Sequence, residues 1–240
     1  MYTVDKTEIL EKAKKWFRES IVENHIKNTK KLINPENFQI NPFLTVYLAN
    51  FFKGNSNPES IAQVLLLPRV LGTSITTSFG TQTQTFISEV LQAFGSTTPG
   101  IDIEFQDQID NRKKYCQLKA GPNTINKDDV ETIANHFKKT INLAKTNKSD
   151  LRFDDLIVGV IYGNESDISS HYKRITNQYH YSVIVGQDFW HRLTGDENFY
   201  FDLTQAIGSI ANEANYCQEV KNIIIKLSES DEIQKLSNHE

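Results

Sequence analysis

The sequence predicts an α/β protein: a central mixed β-sheet flanked by helices, with a largely helical N-terminal region. Three observations predict it. DDLIVGVIYG, residues 154–163, is an almost uninterrupted apolar run ending in Gly163, the pattern of a central buried strand. Two shorter strand patterns, 101–106 and 114–119, precede it and are joined by the polar turn DQIDNRK. A helical pattern, NTINKDDVETIANHFKKTINLAK, stands between them and the apolar run, so the order strand, strand, helix, strand gives a mixed core.

Residues 5–33 read as a helix, because Ile9, Leu10, Ala13, Trp16, Phe17, Ile21 and Val22 recur at three- and four-residue steps. Trp16 and Phe17 are core packing or, alternatively, a dimer contact. Asn34-Pro35 ends the helix. In INPFLTVYLANFFKG, residues 40–54, Asn41 caps a second helix with Pro42 at its first position. Asn57-Pro58-Glu59 repeats the device and launches a helix through Leu67, which Pro68-Arg69 is expected to break. Arg69, set among apolar residues in LLLPRVLG, reads as an ion-pair partner or as a phosphate contact. Residues 73–85, TSITTSFGTQTQT, read as a polar loop, or as a segment whose hydroxyls and amides bond a nucleic-acid backbone. A helix from about Phe86 to Ala93 carries Glu89 and closes at GSTTPG, residues 95–100.

Beyond the apolar run, YSVIVG at 181–186 is a further strand. GQDFWHRLTGD enters a helix, and 200–230 carries one or two more. No repeat, low-complexity tract or clear linker interrupts the chain. The reading is one domain over 1–240: helical elaboration over 1–95, an α/β core carrying the site over 96–196, and C-terminal helices over 197–240.

The composition of the 240 residues, 38% hydrophobic and 23% charged, is that of an ordinary soluble protein. No run approaches membrane-span length and no secretory apolar core opens the chain, so an intracellular protein is expected. Cys116 and Cys217 make no disulfide scaffold, and Cys116 reads as a buried thiol. A net charge of −4 and a pI near 5.9 argue against a promiscuous nucleic-acid binder. They leave room for a specific one with its Lys and Arg gathered in a cleft. Glycine-rich dinucleotide and nucleotide loops, CxxC pairs and GxSxG are all missing.

The chemistry concentrates on Asp102 in GIDIEF and Lys119 in YCQLKAGP. Strand alternation puts Gln117 and Lys119 on one face, and Asp102 and Glu104 on one face of their own strand. Phosphodiester hydrolysis needs an attacking water, a stabilised pentacovalent phosphorus and a departing 3′ oxygen. A hard cation such as Mg²⁺ serves the last two. Asp102 is the candidate metal carboxylate, the main-chain carbonyl of Leu118 a second oxygen donor, and Lys119 the group that orients water or stabilises developing charge. Gln117 stands where an acid would hold the metal more strongly; its amide offers a neutral oxygen or orients a water. The site is then one negative charge short, and Glu89 or Glu104 is the candidate donor. The gap is loose, so Asp102 and Lys119 read equally as a salt bridge between neighbouring strands.

None of the six histidines, His136 included, has the spacing of a zinc pair, and each reads as a surface or core residue. His171, Lys173 and Arg174, followed by Asn177, Gln178, Tyr179 and His180, suit the reading of base edges in a major groove. They suit an exposed loop as well.

GIDIEF followed by YCQLKAG resembles the catalytic core of type II restriction endonucleases of the PD-(D/E)xK superfamily. INPFLTVYL, LLLPRVLGT, QLKAGPNTIN and VGVIYGN, with GQDFWHRLTGD, resemble the subgroup that cuts GGNCC and related sites, over roughly residues 38–196. The resemblance implies a restriction-endonuclease-like core and a homodimer straddling a palindromic duplex, each subunit cutting one strand with Mg²⁺. It places Asp102 on the family's metal aspartate and Lys119 on its catalytic lysine, while Gln117 departs from the usual acid. It also implies 5′-phosphate ends on a short 5′ extension, a bacterial cytoplasmic setting, and a cognate DNA methyltransferase as functional partner. Lys127, Lys173, Arg174 and Arg192 are the candidate guanine readers, with Asn177 and Arg69 as further DNA contacts. Two alternatives remain: a structure- or mismatch-specific nuclease of the same fold, and a non-catalytic DNA-binding protein that kept the fold.

Overall fold

A computed structural model describes residues 5–213 and 216–237. The first helical stretch, α1 (Lys6–Trp16), continues through a π-helical turn at Phe17–Val22 into α2 (Glu23–Lys31), so the helix expected over 5–33 is present with a widened turn inside it. Both Asn-Pro starts are capped as expected. Asn41 Oδ1 accepts from Leu44 N at the head of α3 (Pro42–Lys53), and Asn57 Oδ1 accepts from Ser60 N at the head of α4 (Pro58–Pro68).

Pro68 does not break the chain. A π-helical turn, Arg69–Thr73, carries α4 directly into α5 (Ser74–Val90). The wider turn follows the proline directly and carries the helix on. The polar loop expected over 73–85 is therefore mostly helix. Its hydroxyls fold back, Thr76 Oγ1 donating to Gly72 O at 3.0 Å and Thr81 Oγ1 to Thr77 O at 3.1 Å. Aromatic anchors override the composition: Phe79 meets Trp16 edge-on at 6.0 Å, and Phe86 meets Trp190 at 6.2 Å.

A four-stranded sheet follows: β1 (Ile103–Gln106), β2 (Lys113–Lys119), β3 (Leu156–Val160) and β4 (Ser182–Val185), side by side in that order. β1 is antiparallel to β2, and β2, β3 and β4 are parallel. Each parallel step needs a crossover, supplied by α6 (Lys127–Thr146) and α7 (Ser170–Tyr179). Every residue of β3 is buried, as its apolar run requires. On one face Val158 and Val160 pack with Ile133 and Phe137 of α6 and with Tyr172 and Ile175 of α7. On the other, α8 (Gln187–Thr194) seats Phe189 where a Cβ at Gly159 would come within 2.7 Å of its ring and 2.8 Å of Cys116 Sγ. Cys116 is the buried thiol the sequence suggested. The segment weighed as an exposed loop, residues 169–180, is largely α7, with Tyr172 and Ile175 turned inward.

The DQIDNRK turn is tied down by charge. Lys114, buried, lies 2.6 Å from Asp110 and 3.4 Å from Asp155; Arg112 grips the buried Asp155 through Nε (2.8 Å) and Nη2 (2.5 Å). Burial alone would raise the Asp155 carboxyl, but Arg112, the Arg152 N–H and Lys114 outweigh it and hold it below the ordinary carboxylate range.

The chain ends in α9 (Phe199–Glu213), α10 (Tyr216–Ser228) and α11 (Asp231–Ser237). It divides into two compact units, Met1–Lys14 with Thr83–Ile207, and Lys15–Gln82 with Gly208–Glu240. The first holds the sheet. The second is helical, with a core of Ala49, Ile61, Leu66, Ile223, Leu227 and Ile233. No helix among the described residues is long and apolar enough to cross a membrane.

Candidate active site

The site assembles on the sheet face covered by α6. Cys116 and Leu118 turn to the opposite face, so Gln117 and Lys119 point toward the helix by alternation. Asp102 stands one residue ahead of β1, its N–H donating to Cys116 O at 3.0 Å. Its Oδ2 accepts the backbone N–H of Leu118 at 2.7 Å. A strand residue presents its N–H and C=O on the same edge, so the Leu118 carbonyl leaves the strand on the side where Asp102 lies.

Asp102 is open to water on one side and crowded by protein on the others. That crowding pushes its pKa up, against the pull of the Leu118 N–H and of Lys119. Its Oδ1 has no hydrogen-bond partner among the described residues. Lys119 is half-buried, with Nζ 3.9 Å from Asp129 Oδ1 in the first turn of α6. The turn that follows Lys119 is braced by Tyr172, whose hydroxyl donates to Gly121 O at 2.9 Å. Gly121 is bare because the Tyr162 ring fills its Cβ position.

Gln117 is buried and held from two sides. Its Nε2 donates to Gly100 O and to His136 Nδ1, the latter at 2.7 Å. An accepting Nδ1 leaves the neutral imidazole's proton on Nε2. Both amide hydrogens are thus spent, and Oε1 has no hydrogen-bond partner among the described residues and is not sealed from solvent. Gly100 accommodates this cluster: its φ is +81°, and a Cβ there would enter the His136 ring at 2.5 Å. His136 is the residue sequence reading passed over. The signal was present, since Asp129 and His136 lie seven positions apart and share a face of α6.

The two candidates for the missing carboxylate part company. Glu104 is consumed: Oε1 accepts from Ser96 Oγ (2.5 Å) and Thr98 Oγ1 (2.7 Å), and Oε2 pairs with Lys113 at 2.6 Å. Glu89 is exposed on α5 and makes no ion pair or hydrogen bond with a described residue. Among the described residues no three His, Cys, Asp or Glu side chains converge as a metal cluster. The oxygens there that could hold a metal are one carboxylate and two neutral donors: Asp102 Oδ1, Leu118 O and Gln117 Oε1. An all-oxygen set of this kind fits a hard divalent cation completed by water and phosphate oxygens.

The basic residues expected to meet DNA take varied settings. Lys127 is exposed at the start of α6; Lys173 and Asn177 are exposed on α7. Arg174 reaches Gln178 at 3.5 Å. Arg192 is committed to buried Asp107 at 2.6 Å, with Asp110 at 3.8 Å. Arg69 makes no ion pair with a described residue; it bonds Asn37 O at 3.3 Å and lies 6.0 Å from the Phe38 ring centre.

Compared with known protein families, residues 47–215 match the family described as Type II restriction endonuclease EcoO109I. No curated protein matches the chain.

Proposed function

This chain belongs to the Type II restriction endonuclease EcoO109I family, and from that premise we propose a site-specific deoxyribonuclease that uses Mg²⁺ to hydrolyse both strands of duplex DNA at a short palindrome, GGNCC, leaving 5′-phosphate ends. The observation that carries the reading is that Asp102 accepts the Leu118 N–H, between Gln117 and Lys119, whose side chains share one face of the neighbouring strand.

Asp102 and the Leu118 carbonyl would hold the cation, Gln117 Oε1 would lend it a neutral oxygen, and Glu89 would supply the second carboxylate. Held there, Mg²⁺ would supply charge stabilisation for the phosphate and the leaving 3′ oxygen. Lys119 does the rest from the protein side. Its ammonium, half-buried beside Asp129, orients the attacking water and donates to a phosphate oxygen as charge builds on it. His136 is a positioning residue: it fixes the rotation of the Gln117 amide and so the direction of Oε1. Lys127, Lys173 and Asn177 are exposed and Arg174 is half-buried; the four reach for the duplex, with Arg69 a further backbone contact. Arg192 joins them only by giving up Asp107. Two copies of the chain reading one palindrome cut one strand each, in a bacterial cytoplasm where a cognate methyltransferase protects host sites.

The test is digestion of unmethylated phage DNA with Mg²⁺ and with EDTA, followed by sequencing of the ends, with Asp102→Ala as control. Discrete Mg²⁺-dependent fragments sharing one palindrome, lost in Asp102→Ala, are expected. Intact DNA from a folded parent protein, or full cleavage by Asp102→Ala, would overturn the reading.

A further inference from the structure

We infer that Asp129 is a positioning residue for the cleavage reaction: from the first turn of α6 it sets where the Lys119 ammonium stands. The inference rests on the proposal that Lys119 serves a Mg²⁺-dependent cleavage of DNA. α6 presents one edge to the polar side of β2. Asp129 and His136, seven positions apart, stand on that edge about 10 Å from one another along the helix axis. Gln117 and Lys119 stand about 7 Å from one another along the strand. The helix meets them in reverse order. His136 Nδ1 accepts from Gln117 Nε2 at 2.7 Å, and Asp129 Oδ1 lies 3.9 Å from Lys119 Nζ. One edge of one helix thus holds both polar side chains of the strand.

The two oxygens of Asp129 have separate tasks. Oδ2 accepts the Asn126 N–H at 2.8 Å and closes the capping box at the head of α6. That bond restricts the carboxylate's rotation and leaves Oδ1 for Lys119. The start of a helix also favours a negative charge. Burial pushes the nearby Tyr172 phenol up to about 12, and the charge of Asp129 adds to that rise, so the phenol stays the protonated donor that braces Gly121 O. Lys119 makes no hydrogen bond with a described residue, and 3.9 Å is too long for one. The ammonium is drawn toward Asp129 without donating to it. Its three N–H groups stay available for water and phosphate oxygens. The side chains are 27% and 33% exposed, so salt screens this pair less than one in open water. A lysine without such an anchor spreads over many rotamers, and a misplacement of about 1 Å can cost about 100-fold in rate. A cap alone would be served by any side chain that accepts from Asn126. Only the lysine makes use of the charge.

Substitution by Glu and by Gln separates the two tasks, because either side chain can reach back to the Asn126 N–H and only Glu carries charge. Asp129→Glu should cut within about tenfold of the parent rate, and Asp129→Gln about 30-fold or more below Asp129→Glu, in single turnovers with Mg²⁺. The affinity of Asp129→Gln for the same duplex, with Ca²⁺ in place of Mg²⁺, should stay within about threefold of that of Asp129→Glu, and its melting temperature within about 2 °C. Asp128→Asn removes a charge from the same exposed turn and should leave the rate within about threefold of the parent. An Asp129→Gln variant that cuts as fast as Asp129→Glu would overturn the inference. So would a rate that falls only in step with DNA affinity or melting temperature, or an equal loss in Asp128→Asn. If the parent cuts DNA and the variants show no such split, the nuclease reading stands and this inference falls. A folded parent that never cuts DNA refutes that reading and removes this inference with it.

Discussion

Replacing Gln117 by Glu restores the acid usual in the superfamily, yet this structure predicts a weaker protein. Gln117 Nε2 donates to the Gly100 carbonyl and to His136 Nδ1. A glutamate of the same shape has nothing to donate. It sets a carboxylate oxygen against the Gly100 carbonyl, and it places a second negative charge near Asp102, whose own ionisation is already disfavoured by crowding. Two lost hydrogen bonds at about 1 kcal/mol each, with a buried acceptor left unpaired at about 1–2 kcal/mol more, give a loss of about 3–4 kcal/mol. For a chain of this size each kcal/mol is worth about 2–4 °C, so the melting temperature in EDTA should fall by roughly 6–16 °C. Gln117→Met removes the same donors without adding charge and should lose less. Adding Mg²⁺ should return more of the lost stability to Gln117→Glu than to Gln117→Met, because the cation then has two carboxylates to bind. Melting by circular dichroism with and without Mg²⁺, beside single-turnover cleavage, reads both effects. If Gln117→Glu melts within about a degree of the parent in EDTA, the amide is not the clamp described and the role given to His136 goes with it.

Two further expectations follow from side chains that the structure sorts apart. Glu89→Ala should lower the single-turnover cleavage rate about 100-fold or more and weaken Mn²⁺ binding read by electron paramagnetic resonance, whereas Glu104→Ala should lower the melting temperature first and leave metal affinity within about threefold; the opposite ranking would reassign the carboxylate. Asp155→Asn should cost about 2–4 kcal/mol at pH 7, because Arg112 and Lys114 are left buried or half-buried without their shared anion. The Asp155 carboxyl is held below its unfolded value of about 3.9, so its contribution is whole above that pH and disappears as pH falls through the folded value. Denaturant curves of parent and variant should therefore converge below about pH 4, and a gap that stays constant from pH 7 to pH 3 would contradict the assignment.

The sheet was the legible part of the fold. β3 is buried along its whole length, and a strand with two covered faces has little choice but to be apolar throughout. β2 alternates, and that alternation alone places Gln117 and Lys119 together. What the sequence hid was decided by residues far apart in the chain. His136 looked like one more helix residue, because its contact with Gln117 depends on how α6 lies across the sheet. Arg192 read as a free donor, but Asp107, 85 positions earlier, holds it. Residues 73–85 looked like a loop because hydroxyls and amides favour loops in isolation; Phe79 and Phe86 supply packing that composition does not count. Pro68 looked like a stop, and a single wide turn was enough to pass it. Tyr172 and Ile175, three positions apart, were the available sign that α7 was a helix.

Gly159 has a consequence for the descent of this chain. The space its missing side chain leaves is already filled from two directions, by the Phe189 ring and by Cys116 Sγ. The three positions, 43 and 30 residues apart along the chain, therefore share one allotment of volume. A methyl gained at 159 must be met by a smaller residue at 116 or 189, and neither of those can grow while 159 stays occupied. Relatives of this protein should change at the three sites together or not at all. A lineage that crosses from one combination to another must pass through an overfilled or a hollow intermediate.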